Sequence, residues 1–181
     1  MVHPFLIPFL AIGLAELGDK TQLAIVSLSS NTASKWRLLL GVMLAFLITD
    51  GLAVLLGATI PLVIPINIVK IAAGCIFILF GILMLVNNKD KKEKHEIKSP
   101  FLTSFILIMT SEMGDKSQIA TGLFATQYNP WMVLGSVLTA LLILSVIAIF
   151  IGKFIRDKVN YKLIHTIAGI LFIIIGAVTL I

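Results

Sequence analysis

Six long apolar stretches run along the chain, at roughly 4–29, 36–60, 66–86, 100–126, 130–152 and 162–181, separated by breaks that carry charge, proline or asparagine. Each is close to the ~20 residues that a helix needs to cross a ~30 Å hydrocarbon core. Such runs must be helical in lipid, where backbone N–H and C=O groups have no water to bond. The pattern predicts an all-α integral membrane protein with six transmembrane helices. The small residues Gly13-Leu14-Ala15 give the first stretch some likeness to a signal peptide. No positive segment precedes it, however, and an equivalent stretch recurs at mid-chain, so it reads as a span.

Composition points the same way. Of 181 residues, 59% are hydrophobic and 13% charged, against about 45–50% apolar and about 25% charged in soluble domains. Mean hydropathy is +1.08. The length leaves no room for a separate soluble domain of ordinary size, and the single cysteine, Cys75, has no internal partner.

A net charge of +5 would suggest an acidic partner in a soluble protein. Here the charge sorts by side instead. With alternating spans, Lys35, Arg37, Lys89, Lys91, Lys92, Lys94, Lys98, Lys153, Arg156, Lys158 and Lys162 share one face, and Lys70 stands alone on the other. The positive-inside rule then puts the central linker, 87–98, in the cytoplasm and both termini outside, in a multi-pass plasma-membrane protein. The bilayer is its expected partner and nucleic acid is not. Both a monomer and a homo-oligomer are compatible with the sequence.

An internal repeat organises the chain into 1–86 and 99–181. Pro4-Phe5-Leu6 recurs as Pro100-Phe101-Leu102, and Glu16-Leu-Gly-Asp-Lys-Thr-Gln-Leu-Ala24 recurs as Glu112-Met-Gly-Asp-Lys-Ser-Gln-Ile-Ala120. The register continues through Trp36 and Trp131, Ala73-Gly74 and Ala168-Gly169, Phe77 and Phe172, and Gly81 and Gly176. Three spans per half force the second half to enter from the opposite side. The halves are therefore expected as inverted three-helix repeats, an architecture of secondary transporters whose sites lie at the repeat interface near the midplane.

Glu16, Asp19, Asp50, Glu112 and Asp115 all fall inside predicted spans. A charge at the bilayer centre costs at least ~2.5–3.5 kcal/mol on insertion scales, so such residues mark function. Glu16 follows Pro4 by twelve residues and Glu112 follows Pro100 by twelve, or ~18 Å at 1.5 Å per residue. Helices entering from opposite faces bring both glutamates near the midplane. Gly18 and Gly114 are the expected places for these helices to unwind and free carbonyls as further ligands.

Four carboxylates with Thr21, Ser117, Gln22 and Gln118 offer only oxygen ligands, and no histidine or cysteine lies near the motifs. That donor set suits hard cations such as Ca²⁺, Mg²⁺ and Mn²⁺ and argues against Zn²⁺ or Cu⁺. Glu16, Asp19, Glu112 and Asp115 with Lys20 and Lys116 sum to −2, which a divalent cation neutralises. Protons neutralise the carboxylates once the cation leaves, which is the basis of antiport. Lys20, four residues after Glu16, is placed to pair with it and act as an internal cation. Asp50, opposite Ser145 or Leu144 in the repeat, reads either as a proton relay or extra ligand or as a structural group paired with a lysine.

The doubled Glu-x-Gly-Asp-Lys-(Thr/Ser) motif, with six spans in inverted halves and a charged central linker, resembles a known family. That family is the Golgi manganese/calcium–proton exchangers with their prokaryotic manganese exporters, the second calcium/cation antiporter family of the lysine-exporter superfamily. The resemblance implies that Glu16, Asp19, Glu112 and Asp115 bind the cation and exchange protons. It places Thr21 and Ser117 at the motif's hydroxyl position and Lys20 and Lys116 at its basic position. It also implies export of cytoplasmic Mn²⁺ or Ca²⁺ against entering protons, with no tightly bound cofactor. Met113 and Lys116 stand where many relatives carry an aromatic residue and an arginine.

Enzyme readings are weak. Gly-Asp-Lys-Thr lacks the first glycine and the Gly-Lys pair of a phosphate-binding loop. An intramembrane aspartyl protease would leave the glutamates and lysines unexplained. A divalent cation channel or uniporter would use the same carboxylates, and an amino-acid exporter of the wider superfamily would also need a carboxylate-binding site.

Overall fold

The computed structural model describes residues 4–30, 32–86, 99–150 and 161–180. Among these the chain is all-helical, with eight α-helices and no β-strand: α1 (Leu6–Glu16), α2 (Lys20–Ser30), α3 (Lys35–Val63), α4 (Ile66–Val86), α5 (Pro100–Glu112), α6 (Lys116–Gln127), α7 (Pro130–Phe150) and α8 (Tyr161–Leu180). The linker 87–98 lies outside the described residues, as do Lys153, Arg156 and Lys158. Two of the described helices, α3 and α7, are long and apolar enough to cross a membrane by length and composition.

The count differs from six because the first and fourth apolar stretches are each divided in two. Both divide at the glycine of the repeated motif, between α1 and α2 and between α5 and α6. The length of a stretch does not register this, since the chain is helical again at Lys20, four residues beyond Glu16, and at Lys116, four beyond Glu112.

The two halves interlock. The long helix α3 of the first half packs on α5 and α6 of the second, and α7 of the second packs on α1 and α2 of the first. The pieces meet crosswise, α1 with α6 and α2 with α5. The ring centroid of Phe77 of α4 lies 4.8 Å from that of Phe124 of α6 and 5.9 Å from that of its repeat counterpart, Phe172 of α8, both pairs tilted. Polar groups are turned inward: Glu16, Asp50, Glu112, Thr21, Ser117 and Thr121 are buried. Leu55, Leu56, Leu62, Ile71 and Ile174 are exposed, an outside suited to lipid.

The most extensive pairing joins α4 to α8, and glycines allow it. A Cβ on Gly81 would stand 2.5 Å from the Gly169 carbonyl oxygen, and one on Gly176 2.7 Å from that of Gly74. Pairing 74 with 176 and 81 with 169 makes the two helices antiparallel. Small residues at such crossings let backbones approach in membrane proteins. Gly81→Leu or Gly176→Leu is expected to cost about 1–3 kcal/mol by overpacking, read as a lowered thermal unfolding midpoint of the purified protein.

Candidate cation-binding site

Each copy of the motif stops one helix and starts the next. Glu16 ends α1, Leu17 donates its N–H to the Gly13 carbonyl, and Gly18 turns left-handed at φ 86°. Glu112 ends α5, Met113 donates to Met109, and Gly114 adopts φ 80°. Left-handed geometry costs an L-residue about 1–2 kcal/mol, and a glycine just past the C-cap is the usual way for a helix to end. The turn closes when Asp19 N–H reaches the Glu16 carbonyl at 3.2 Å and Asp115 N–H reaches that of Glu112 at 2.9 Å. The new helices open where Leu23 bonds the Asp19 carbonyl and Ile119 that of Asp115. The acids therefore stand where an outgoing helix meets an incoming one.

The breaks bring the two motifs together. Glu16, Asp19 and Asp115 each present a carboxylate oxygen, all within 4.8 Å of one another. Oxygens bound at 2.3–2.6 Å to one Ca²⁺ lie at comparable separations, so one ion could touch acids from both halves. Glu112 stands outside this trio and accepts the Thr21 hydroxyl hydrogen. The Ser117 hydroxyl in turn faces Glu16, close enough to act on its carboxylate. Each motif's hydroxyl thus faces the other motif's glutamate. Glu16 Oε1, fully buried, has no hydrogen-bond partner among the described groups, which leaves an acceptor available to a cation. Lys116 Nζ lies 3.4 Å from Asp19 Oδ2, again across the halves. The side chain of Lys20, expected beside Glu16, lies outside the described residues.

Gln118 faces elsewhere than a ligand would. Its Nε2 donates to the Thr49 carbonyl of α3 at 2.7 Å, and its Oε1 accepts from Gly114 N–H at 2.6 Å. It straps the second break to α3. Gln22 is half-buried in α2. Asp50 accepts from the Thr121 hydroxyl at 3.0 Å, so its partner is a hydroxyl of α6, and its charge is close enough to act on Glu112.

Thr121 lies beyond the repeated motif, and the motif alone does not mark it. Its signal is that it lies three and four residues beyond Gln118 and Ser117, on the same face of α6. Thr121→Val leaves a buried carboxylate without its donor, and a thermal midpoint should show a loss of about 1.5–3 kcal/mol. Asp50→Asn keeps an acceptor for Thr121, and only a few-fold loss of exchange is expected in a flux assay.

A family model described as divalent cation/proton antiporter GDT1 matches residues 4–92 and 100–181. The chain belongs to the GDT1 family. It is 31% identical to a Vibrio cholerae protein named "Putative manganese exporter", over 93% of this chain and 86% of that one. It is 26% identical to a GDT1-like protein of Synechocystis, over 99% of this chain and 97% of the relative. A GDT1-like protein of Schizosaccharomyces pombe is 24% identical over 89% and 83% of the two chains. No solved structure matches the chain. GDT1 is a family of membrane transporters rather than an enzyme class, and cation transport is the activity its name describes. Both broken helices and both motifs fall within the matched residues.

Proposed function

We propose that this protein exports a divalent cation, Mn²⁺ or Ca²⁺, in exchange for protons, through one carboxylate site shared by its two halves. The observation that carries the reading is the convergence of Glu16, Asp19 and Asp115 oxygens within 4.8 Å at two helix breaks. Glu112, held by Thr21, is the fourth carboxylate, and it joins by releasing that hydroxyl. Ser117 orients Glu16, and the Gln118 strap and the Asp50–Thr121 bond fix α6 against α3. In this reading the transported ion is cargo, and no tightly bound cofactor takes part.

The chemistry follows from charge. Four carboxylates in low dielectric carry too much negative charge to stay bare, and two lysines compensate only part of it. A divalent cation supplies the rest, and protons supply it when the cation has gone. Because both neutralise the same oxygens, binding of one expels the other.

In the proposed architecture residues 1–86 and 99–181 are inverted three-span repeats joined by a cytoplasmic linker, with both termini outside the plasma membrane. Each broken pair, α1–α2 and α5–α6, makes one crossing. The reciprocal packing supports this inversion. Gly74 meets Gly176 and Gly81 meets Gly169, and the repeat register of Gly74 with Gly169 and Gly81 with Gly176 converts one contact into the other. Discontinuous helices at such an interface are where secondary transporters hold their ions.

Purified protein in liposomes with an internal pH dye, under clamped membrane potential, tests the reading. Mn²⁺ or Ca²⁺ added outside should enter while protons leave. Cation flux without coupled protons would point to a channel or uniporter, and no flux of either ion would point to amino-acid export.

A further inference from the structure

The carboxylate cluster already faces a cation that belongs to the chain. Lys116 Nζ stands 3.4 Å from Asp19 Oδ2, and Asp19 contributes to the same trio as Glu16 and Asp115. Those three are also the acids whose charges act on this ammonium. The pair links α6 of one half to the helix break of the other.

An ammonium carries three donors and accepts nothing, so it asks for the same carboxylate oxygens as a metal ion. At the metal–oxygen lengths of hard cations, an ion on Asp19 would stand within a few ångströms of Nζ. Like charges that close, away from bulk water, repel strongly. The two cannot share Asp19. The lysine stem is flexible and the side chain keeps 29% exposure, which leaves it room to move aside.

We infer that Lys116 is a tethered competitor of the transported cation, holding the Asp19 position when the divalent ion is away and yielding it when the ion binds. The inference rests on the reading of this cluster as the cation site. Two consequences follow. The ammonium lowers cation affinity, which helps release. It also selects for double charge, because a monovalent ion gains nothing by replacing one positive charge with another.

Mn²⁺ titration calorimetry on the full-length protein tests this, comparing wild type with Lys116→Gln, Lys116→Arg and Glu16→Gln. Lys116→Gln should bind Mn²⁺ about tenfold tighter, a gain on the order of a partly exposed ion pair. Its binding should become sensitive to added Na⁺. Lys116→Arg keeps the charge and should show no such gain. Unchanged or weaker binding in Lys116→Gln overturns the inference, because an ion pair that only glues helices would give that result. Should Lys116→Gln fail to fold, Lys116→Cys in a Cys75→Ser background serves instead, titrated before and after aminoethylation. Restoring the ammonium should weaken Mn²⁺ binding, and no change overturns the inference. Full binding in Glu16→Gln, or none in wild type, brings down the cation-site reading itself and this inference with it.

Discussion

Glu16→Gln and Glu112→Gln are each expected to abolish exchange while leaving the protein inserted and folded. Glutamine keeps the shape and an acceptor oxygen, so the Thr21 bond to position 112 and the Ser117 contact with position 16 survive. What goes is one negative charge at a buried position. Metal affinity at oxygen sites is set by the number of charged ligands and spans several orders of magnitude, so the loss should be at least about a hundredfold. Cation-driven proton flux in liposomes measures it. The two variants should fail alike, because Glu16 belongs to the first motif and Glu112 to the second. Failure of one with survival of the other would mean that the motifs do not form one site.

Gly114→Ala is the second large effect expected, and its cause is different. A Cβ there would meet nothing within 4 Å, yet the residue sits at φ +80°. The whole penalty is therefore conformational, about 1–2 kcal/mol. A break biased by that amount shifts by on the order of 5–30-fold, and exchange should fall accordingly. Gly114→Asn should lose less, since asparagine tolerates the left-handed region. Gly135 in α7 is the control: its Cβ position is equally open and its φ is ordinary. Gly135→Ala should be neutral or stabilising by about 0.5–1 kcal/mol.

The chain's all-helical character, the doubled motif and the places where its helices break are legible in the sequence. Burying a glutamate and an aspartate three residues apart, with a glycine between, has few explanations in an apolar stretch. The pairings are less legible. Placing Lys20 beside Glu16 assumes a continuous helix, in which residues four apart share a face. Gly18 interrupts that helix, and the Lys20 side chain lies outside the described residues. The Lys116–Asp19 pair, which joins the two halves, depends on packing that no spacing within one motif reveals. Gln118 shows the same limit. Its spacing within the motif marks it as an oxygen ligand, but the strap to the Thr49 carbonyl depends on how α6 lies on α3. The Asp50–Thr121 bond is likewise a property of that packing, since the partners are 71 residues apart in sequence.

In the proposed site, acids from both halves hold one ion. The number of Mn²⁺ ions bound per chain decides this, measured by equilibrium titration with the free ion followed by electron paramagnetic resonance. One ion per chain is expected in the wild type, lost in Glu16→Gln and equally lost in Asp115→Asn, because the two ligands come from opposite motifs. Two ions per chain, with each substitution removing only one, would contradict it.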